Sequence, residues 1–206
     1  MNKLILASTG TVAASGLGIG SYVLFFKNSE TISNKYKSAL LGDSSNLWDK
    51  KWEKLKSSNS EIFHETLKRA KEKATSDPTV SKSLHKQGCK EIYSSPLKNS
   101  KYLKDLKNYC SKNVSDVVTE GNWINEDYNS STKWDTSLKA LKNNKQSKLP
   151  KYLEDLVGNL PNTGDTFQAQ DRQLLKHWCD MAQNEIVTDD LQSLISNAKL
   201  YCLSNS

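Results

Sequence analysis

The sequence predicts an all-α protein: an N-terminal transmembrane helix followed by two tandem helical-bundle repeats. Three observations lead there. Apolar residues recur at helical spacing along most of the chain, and no stretch of useful length alternates as a half-buried strand would. An uncharged run of 23 residues stands near the start, from Leu4 to Phe26. One phrase is spelled twice, LWDKKWEKLK from Leu47 and KWDTSLKALK from Lys133, with Trp48 and Trp134 in register 86 residues apart.

The uncharged run is the first element. As a helix it covers about 34 Å at 1.5 Å per residue, enough for a hydrocarbon core of about 30 Å. Lys3 and Lys27 bracket it. It is longer than the apolar region of about 7–15 residues in a secretory signal peptide. Cleavage after Ala14, within TVAAS, is the alternative, but the apolar character continues to Phe26. An uncleaved signal anchor is therefore expected, dividing the chain into residues 1–30 (anchor and flanks), 31–118 (first repeat) and 119–206 (second repeat).

The doubled phrase sets the register of the rest. Trp48, Trp52 and Leu55 fall on Trp134, Leu138 and Leu141. Positions i, i+4 and i+7 share one helical face, so each copy presents an apolar stripe led by an aromatic residue. These six residues are the expected core anchors of the repeats. Further on, LHKQGC (ending at Cys89) matches LLKHWC (ending at Cys179), and Tyr109-Cys110 matches Tyr201-Cys202. The anchors recur in order, with spacings of 41 and 45 and then 21 and 23 residues, which points to an internal duplication.

Each copy then reads as about four short helices. In the first, Ile62, Phe63, Thr66, Leu67 and Ala70 form a stripe after Ser60 as cap, and Asp77 caps a helix that has Pro78 at its first position. Tyr102, Leu103, Leu106, Tyr109 and Cys110 line the last. In the second, Pro150 opens a helix carrying Leu153, Leu156 and Leu160. Phe167, Leu174, Leu175, Trp178 and Met181 line the next. Thr188, Asp189 and Asp190 precede a final stripe of Leu191, Leu194, Ile195, Ala198 and Tyr201.

Charge separates the halves. Residues 31–112 hold 18 basic and nine acidic side chains, a balance of +9; residues 113–206 hold nine and 13, a balance of −4. Such asymmetry suits a half that binds polyanions, or halves that attract each other or a neighbour. Among 29 basic residues only Arg69 and Arg172 are arginines.

Four cysteines, two per copy at matching places, suit one disulfide within each copy, making Cys89, Cys110, Cys179 and Cys202 the disulfide candidates. Four cysteines allow three pairings, and spacing alone leaves all three open. Closing a loop of this length stabilises by about 3 kcal/mol in the chain-entropy model. Lysines at 27, 35 and 37 outnumber the positive charges before the apolar run and favour a cytoplasmic domain, but long domains translocate largely regardless of charge. The disulfide reading decides for the outside.

No catalytic, cofactor or metal site is expected. There is no GxxxxGK[ST], no strand-led GxGxxG and no GxSxG. His64-Glu65 begins like a zinc-protease helix, but Lys68 stands where the second histidine belongs. His85 and Cys89 share a helical face, yet the histidines do not correspond between copies and no CxxC exists. Lys139, Lys142, Lys145, Lys148 and Lys151 lack interleaved arginines or stacking aromatics, so nucleic acid is not an expected partner. No small-molecule substrate is indicated.

The opening MNKLILASTGTVAASGLGIGSYVLF, followed by a Lys-, Asn- and Ser-rich helical body with spaced Trp and Cys, resembles the uncharacterised paralogous membrane-anchored proteins of haemotropic mycoplasmas. The resemblance implies a wall-less bacterium with one membrane, an ectodomain facing host blood, and a part in host contact or antigenic variation; it carries over no site residues. The expectation is a single-pass cell-membrane protein with an extracellular C-terminal region. The alternative is a cytoplasm-facing anchored scaffold whose basic first repeat contacts anionic lipid or nucleic acid.

Overall fold

The structure is a computed structural model that describes residues 30–98, 100–130, 132–144, 148–161 and 164–204. The expected anchor from Leu4 to Phe26 lies outside the described residues. Among those described, no helix is long and apolar enough to cross a membrane.

The described chain is helical apart from one two-stranded ribbon. Ten α-helices follow one another: α1 (Ile32–Lys35), α2 (Leu47–Lys56), α3 (Glu65–Lys73), α4 (Pro78–Tyr93), α5 (Leu103–Asp105), α6 (Val114–Val117), α7 (Thr132–Lys142), α8 (Lys151–Asn159), α9 (Ala169–Asn184) and α10 (Gln192–Tyr201). A π-helical turn, Leu106–Cys110, continues α5. The ribbon pairs β1 (Asn122–Trp123) antiparallel with β2 (Leu203–Ser204). Two-residue strands are too short to show a period-2 alternation, which is why the sequence hid them.

Two apolar cores form. The first gathers Ile32, Trp48, Leu55, Leu67, Ile92 and Tyr109 with Cys89 and Cys110. The second gathers Val114, Trp134, Leu138, Leu141, Leu153 and Leu175 with Cys179 and Cys202. Val114 and Val118 belong to the second core, so the sequence boundary between residues 118 and 119 falls too late. The structure places the change at residues 112–113, just before α6 begins at Val114. A four-residue helix carries too little periodicity to be read in advance. Each half therefore has five helices rather than about four.

The chain repeats its backbone connections at matching points. Ile32 N–H donates to Ser95 O at 3.0 Å and Val114 N–H to Glu185 O at 3.0 Å, six residues after Cys89 and Cys179 respectively. Leu97 N–H then donates to Glu30 O (2.8 Å), as Val187 N–H does to Lys112 O (3.0 Å). The residue after the last cysteine of each half also pairs back: Ser111 bridges Leu40, and Leu203 pairs Trp123.

Two sequence-read caps move. Ser60 does not cap α3; the N-cap is His64, in extended backbone, and the N–H groups of Phe63 and His64 donate to Asp105 Oδ2 at 2.8 and 2.7 Å. An acceptor some forty residues away cannot be seen in local sequence. Thr188 likewise stands in a turn closed by Leu191 N–H on its carbonyl, and Leu191, not Thr188, is the N-cap of α10. Glycine explains one difference between the halves. At Gly88 a Cβ would lie 2.8 Å from Leu67 Cδ2, so its absence lets α3 lie close on α4. The matching position in α9, one before Cys179, is Trp178, a buried indole that demands its own space.

Candidate functional site

The six repeat anchors are all buried, but not all in the same way. Trp48 and Leu55 sit in the first core, and Trp134, Leu138 and Leu141 in the second. Both lead indoles satisfy their N–H on an upstream carbonyl: Trp48 Nε1 donates to Gly42 O at 2.8 Å and Trp134 Nε1 to Glu126 O at 3.0 Å. Trp52 is covered differently. Its Nε1 donates to Ser81 Oγ (2.8 Å), and the Lys56 and Lys82 ammonium groups lie 5.1 and 4.9 Å from its ring.

An ion pair recurs beside each lead Trp. Asp49 meets Lys82 at 2.7 Å, and Asp135 meets Arg172 at 2.9 Å. Lys82 and Arg172 each stand seven residues before the first cysteine of their half. Arg172 is largely buried and also donates to the carbonyls of Tyr128 and Phe167. Lys82 stays half exposed. This pairing was missed in the sequence because nothing in a lone lysine or arginine announces its partner; aligning the halves on their cysteines would have brought it out.

The cysteines are joined as Cys89–Cys110 and Cys179–Cys202, with Cα separations of 5.2 and 5.5 Å. Each ties the long helix of its half to the last turn of that half. His85 lies one helical turn before Cys89, with Nε2 2.9 Å from Tyr109 O and its ring edge-on to Trp48. Its matching position in α9 is Leu175. Beside His85 opens a groove of about 210 Å³ lined by Trp48, Trp52, Asp49, Lys82 and Lys86.

Burial pushes the His85 imidazole down to about 4, against a smaller raising effect of its bond to the Tyr109 carbonyl. In the unfolded chain the ring titrates near its ordinary value of about 6.5. Between these values the unfolded chain holds the extra proton, so stability falls as pH drops through 6.5 toward 4. The shift amounts to about 3 kcal/mol of stability lost over that window. His85→Leu, which copies the second half, is expected to remove this acid sensitivity; denaturant titrations at pH 7 and pH 4 on both proteins check it.

A second polar cluster joins the halves. The Asp116 side chain is wholly buried and accepts from Lys50 Nζ (2.6 Å) and Lys51 Nζ (2.6 Å) across the junction, and from Asn113 N–H (2.9 Å). Asn113 completes the network: its Oδ1 accepts from Lys51 Nζ, and its Nδ2 donates to Lys107 O and Asn184 O. Burial alone would raise the Asp116 pKa, but the hydrogen bonds from Lys50, Lys51 and Asn113 outweigh it and hold the carboxyl below its ordinary range. Burial pushes Lys51 down, with Asp116 opposing. Lys107 adds a pair to Glu185 at 2.7 Å. In all three pairs the first half supplies the cation and the second half the anion. The charge asymmetry of the sequence is thus spent partly within the molecule.

A further, half-buried polar cluster surrounds His64. His64 Nε2 lies 3.6 Å from Glu91 Oε2, which also accepts from Thr66 Oγ1 at 2.6 Å. Asp105, raised by burial against the two backbone bonds, accepts the N–H groups that lead into α3.

Beside the junction a cleft of about 610 Å³ opens between the loop before α2 and α6, with Lys50 and Lys112 at its sides. Of the lysine series read from sequence, Lys139 pairs Asp165, Lys142 donates to Gly164 O and Lys151 pairs Asp155.

The chain matches no protein-family model, no curated protein and no solved structure.

Proposed function

We propose that the chain is a single-span membrane-anchored surface protein, built from two copies of one five-helix unit. Its helical ectodomain contacts a host or neighbouring protein or serves as a variable antigen, and carries no reaction of its own. One observation carries the reading: both cysteine pairs are disulfide-bonded at matching places, and no cysteine is free. Such bonds form and persist in oxidising compartments and are rare in the cytosol. The uncharged run from Leu4 to Phe26 supports an anchor, and the resemblance to paralogous haemotropic mycoplasma proteins supports the surface.

Thiol labelling on intact cells, followed by digestion without reductant, tests this. Two linked peptide pairs are expected, Cys89 with Cys110 and Cys179 with Cys202, each within one half. Label should enter only after an impermeant reductant is added under mildly unfolding conditions. Four free thiols in protein isolated under alkylating conditions would overturn the surface reading. They would favour a cytoplasm-facing anchored scaffold whose basic first half contacts anionic lipid or nucleic acid.

A further inference from the structure

We propose that, in its dithiol form, the first half binds one thiophilic divalent cation of the zinc type through Cys89, Cys110 and His85, and that closing the disulfide expels the ion. The second half, with the same cysteine geometry, does not bind one. This inference stands on the first core alone and is independent of which side of a membrane the chain faces.

The ligand atoms of His85, Cys89 and Cys110 all lie within 4.8 Å of one another, and all three residues are buried. Two thiolates and an imidazole form the protein ligand set of an open tetrahedral zinc site, with Zn–S of about 2.3 Å and Zn–N of about 2.0–2.1 Å. In such a site the two sulfurs stand about 3.7 Å apart, so opening the bond asks for a small local separation rather than a new fold. Helix α4 supplies two ligands from one face, His85 and Cys89 at i and i+4. The π-turn supplies the third, and brings an oxygen with it. Tyr109 O lies 2.9 Å from His85 Nε2 and 3.7 Å from Cys89 Sγ, so one carbonyl holds both the ring and the sulfur in place. The groove beside Trp48 leads from solvent to His85 and is a route for the ion.

The second half is a built-in control. Cys179 and Cys202 are joined across the same kind of turn, with Tyr201 O 3.8 Å from Cys179 Sγ. Leu175 occupies the place of His85, so two sulfurs are offered without the nitrogen.

The step balances. A dithiol reductant gives two electrons and two protons to the Cys89–Cys110 bond and leaves as its own disulfide. The divalent ion then displaces both thiol protons to solvent and takes the two thiolates and the neutral imidazole. Oxidation reverses this: the two thiolates lose two electrons to a disulfide oxidant, the S–S bond forms, and the ion leaves.

The test uses the full chain in detergent, reduced with a water-soluble phosphine and titrated with Co²⁺. Binding is read from thiolate-to-cobalt charge-transfer absorption, and folding from far-ultraviolet circular dichroism. One equivalent of Co²⁺ per chain is expected, displaced by Zn²⁺ and released when a disulfide oxidant is added. The band should survive Cys179→Ser with Cys202→Ser and vanish with Cys89→Ser. His85→Leu should weaken binding by at least about tenfold, the loss that even an outer-shell partner causes. Two equal cobalt sites, unchanged affinity in His85→Leu, or no cobalt band in a chain that keeps its helicity would each overturn the proposal. So would a reduced chain that loses its helices and does not regain them when the metal is added.

Discussion

Trp134→Ala is expected to unfold the second core at a cost of about 3–5 kcal/mol while the first core keeps its structure. Trp134 is the largest side chain shielded completely from solvent, and its indole also satisfies the Glu126 carbonyl. Removing it leaves a cavity among Leu138, Leu141 and Leu153, which α7 and α8 cannot close without shifting. The first core shares almost none of these residues, and it is separately clamped by Cys89–Cys110. Ile186 and Val187, which follow α9, do pack in the first core. Hydrogen exchange reports the result half by half. Protection should fall through α7–α10 and stay in α3 and α4. Uniform loss across both halves would mean that Ile186 and the junction make the chain one cooperative unit.

Asp116→Ala is expected to cost about 3–5 kcal/mol, because it strands the Lys51 ammonium in a buried site without its counter-ion. The loss comes from the orphaned charge more than from the bond itself. Adding Lys51→Met removes that charge and fills its space with an apolar chain, so the double variant should recover a large part of the loss. Denaturant unfolding of the wild type, both single variants and the double variant closes the cycle. A second readout separates this effect from simple destabilisation: with the junction broken, the two halves should unfold in two steps. Equal losses in the single and double variants would show that Asp116 matters as the partner of Asn113 N–H and not as the counter-ion of Lys51.

Much of the helical architecture was legible in the chain because helical signals are local. Pro78 after Asp77 marked the start of α4, where Asp77 accepts from Val80 N–H at 3.1 Å. The apolar stripe at Trp48, Trp52 and Leu55 needed only the 3.6-residue period. What failed to show were relations between distant or very short pieces. Asp105 accepts the N–H groups leading into α3 from the far end of the first half, and Ile186 and Val187 pack in a core otherwise made before Ser111. The four-residue helix α6 moved the boundary between the halves, because one turn has no period to read.

The sequence by itself determined the longer helices, most of the apolar positions they bury (Leu174 and Met181 of the expected α9 stripe stay exposed), and the matching places of the cysteines in the two halves. Those features follow from the spacing of apolar residues and from caps a few positions away, which act before any distant contact exists. Only the tertiary structure decided that Cys89 meets Cys110 and not another cysteine, that Lys50 and Lys51 share Asp116, and that His85 faces a disulfide where Leu175 faces its counterpart. Each of these depends on bringing together residues from different helices at a few ångströms. That distance is set by how side-chain volumes fill two cores, where Gly88 admits Leu67 closely and Trp178 at the matching place fills its own space.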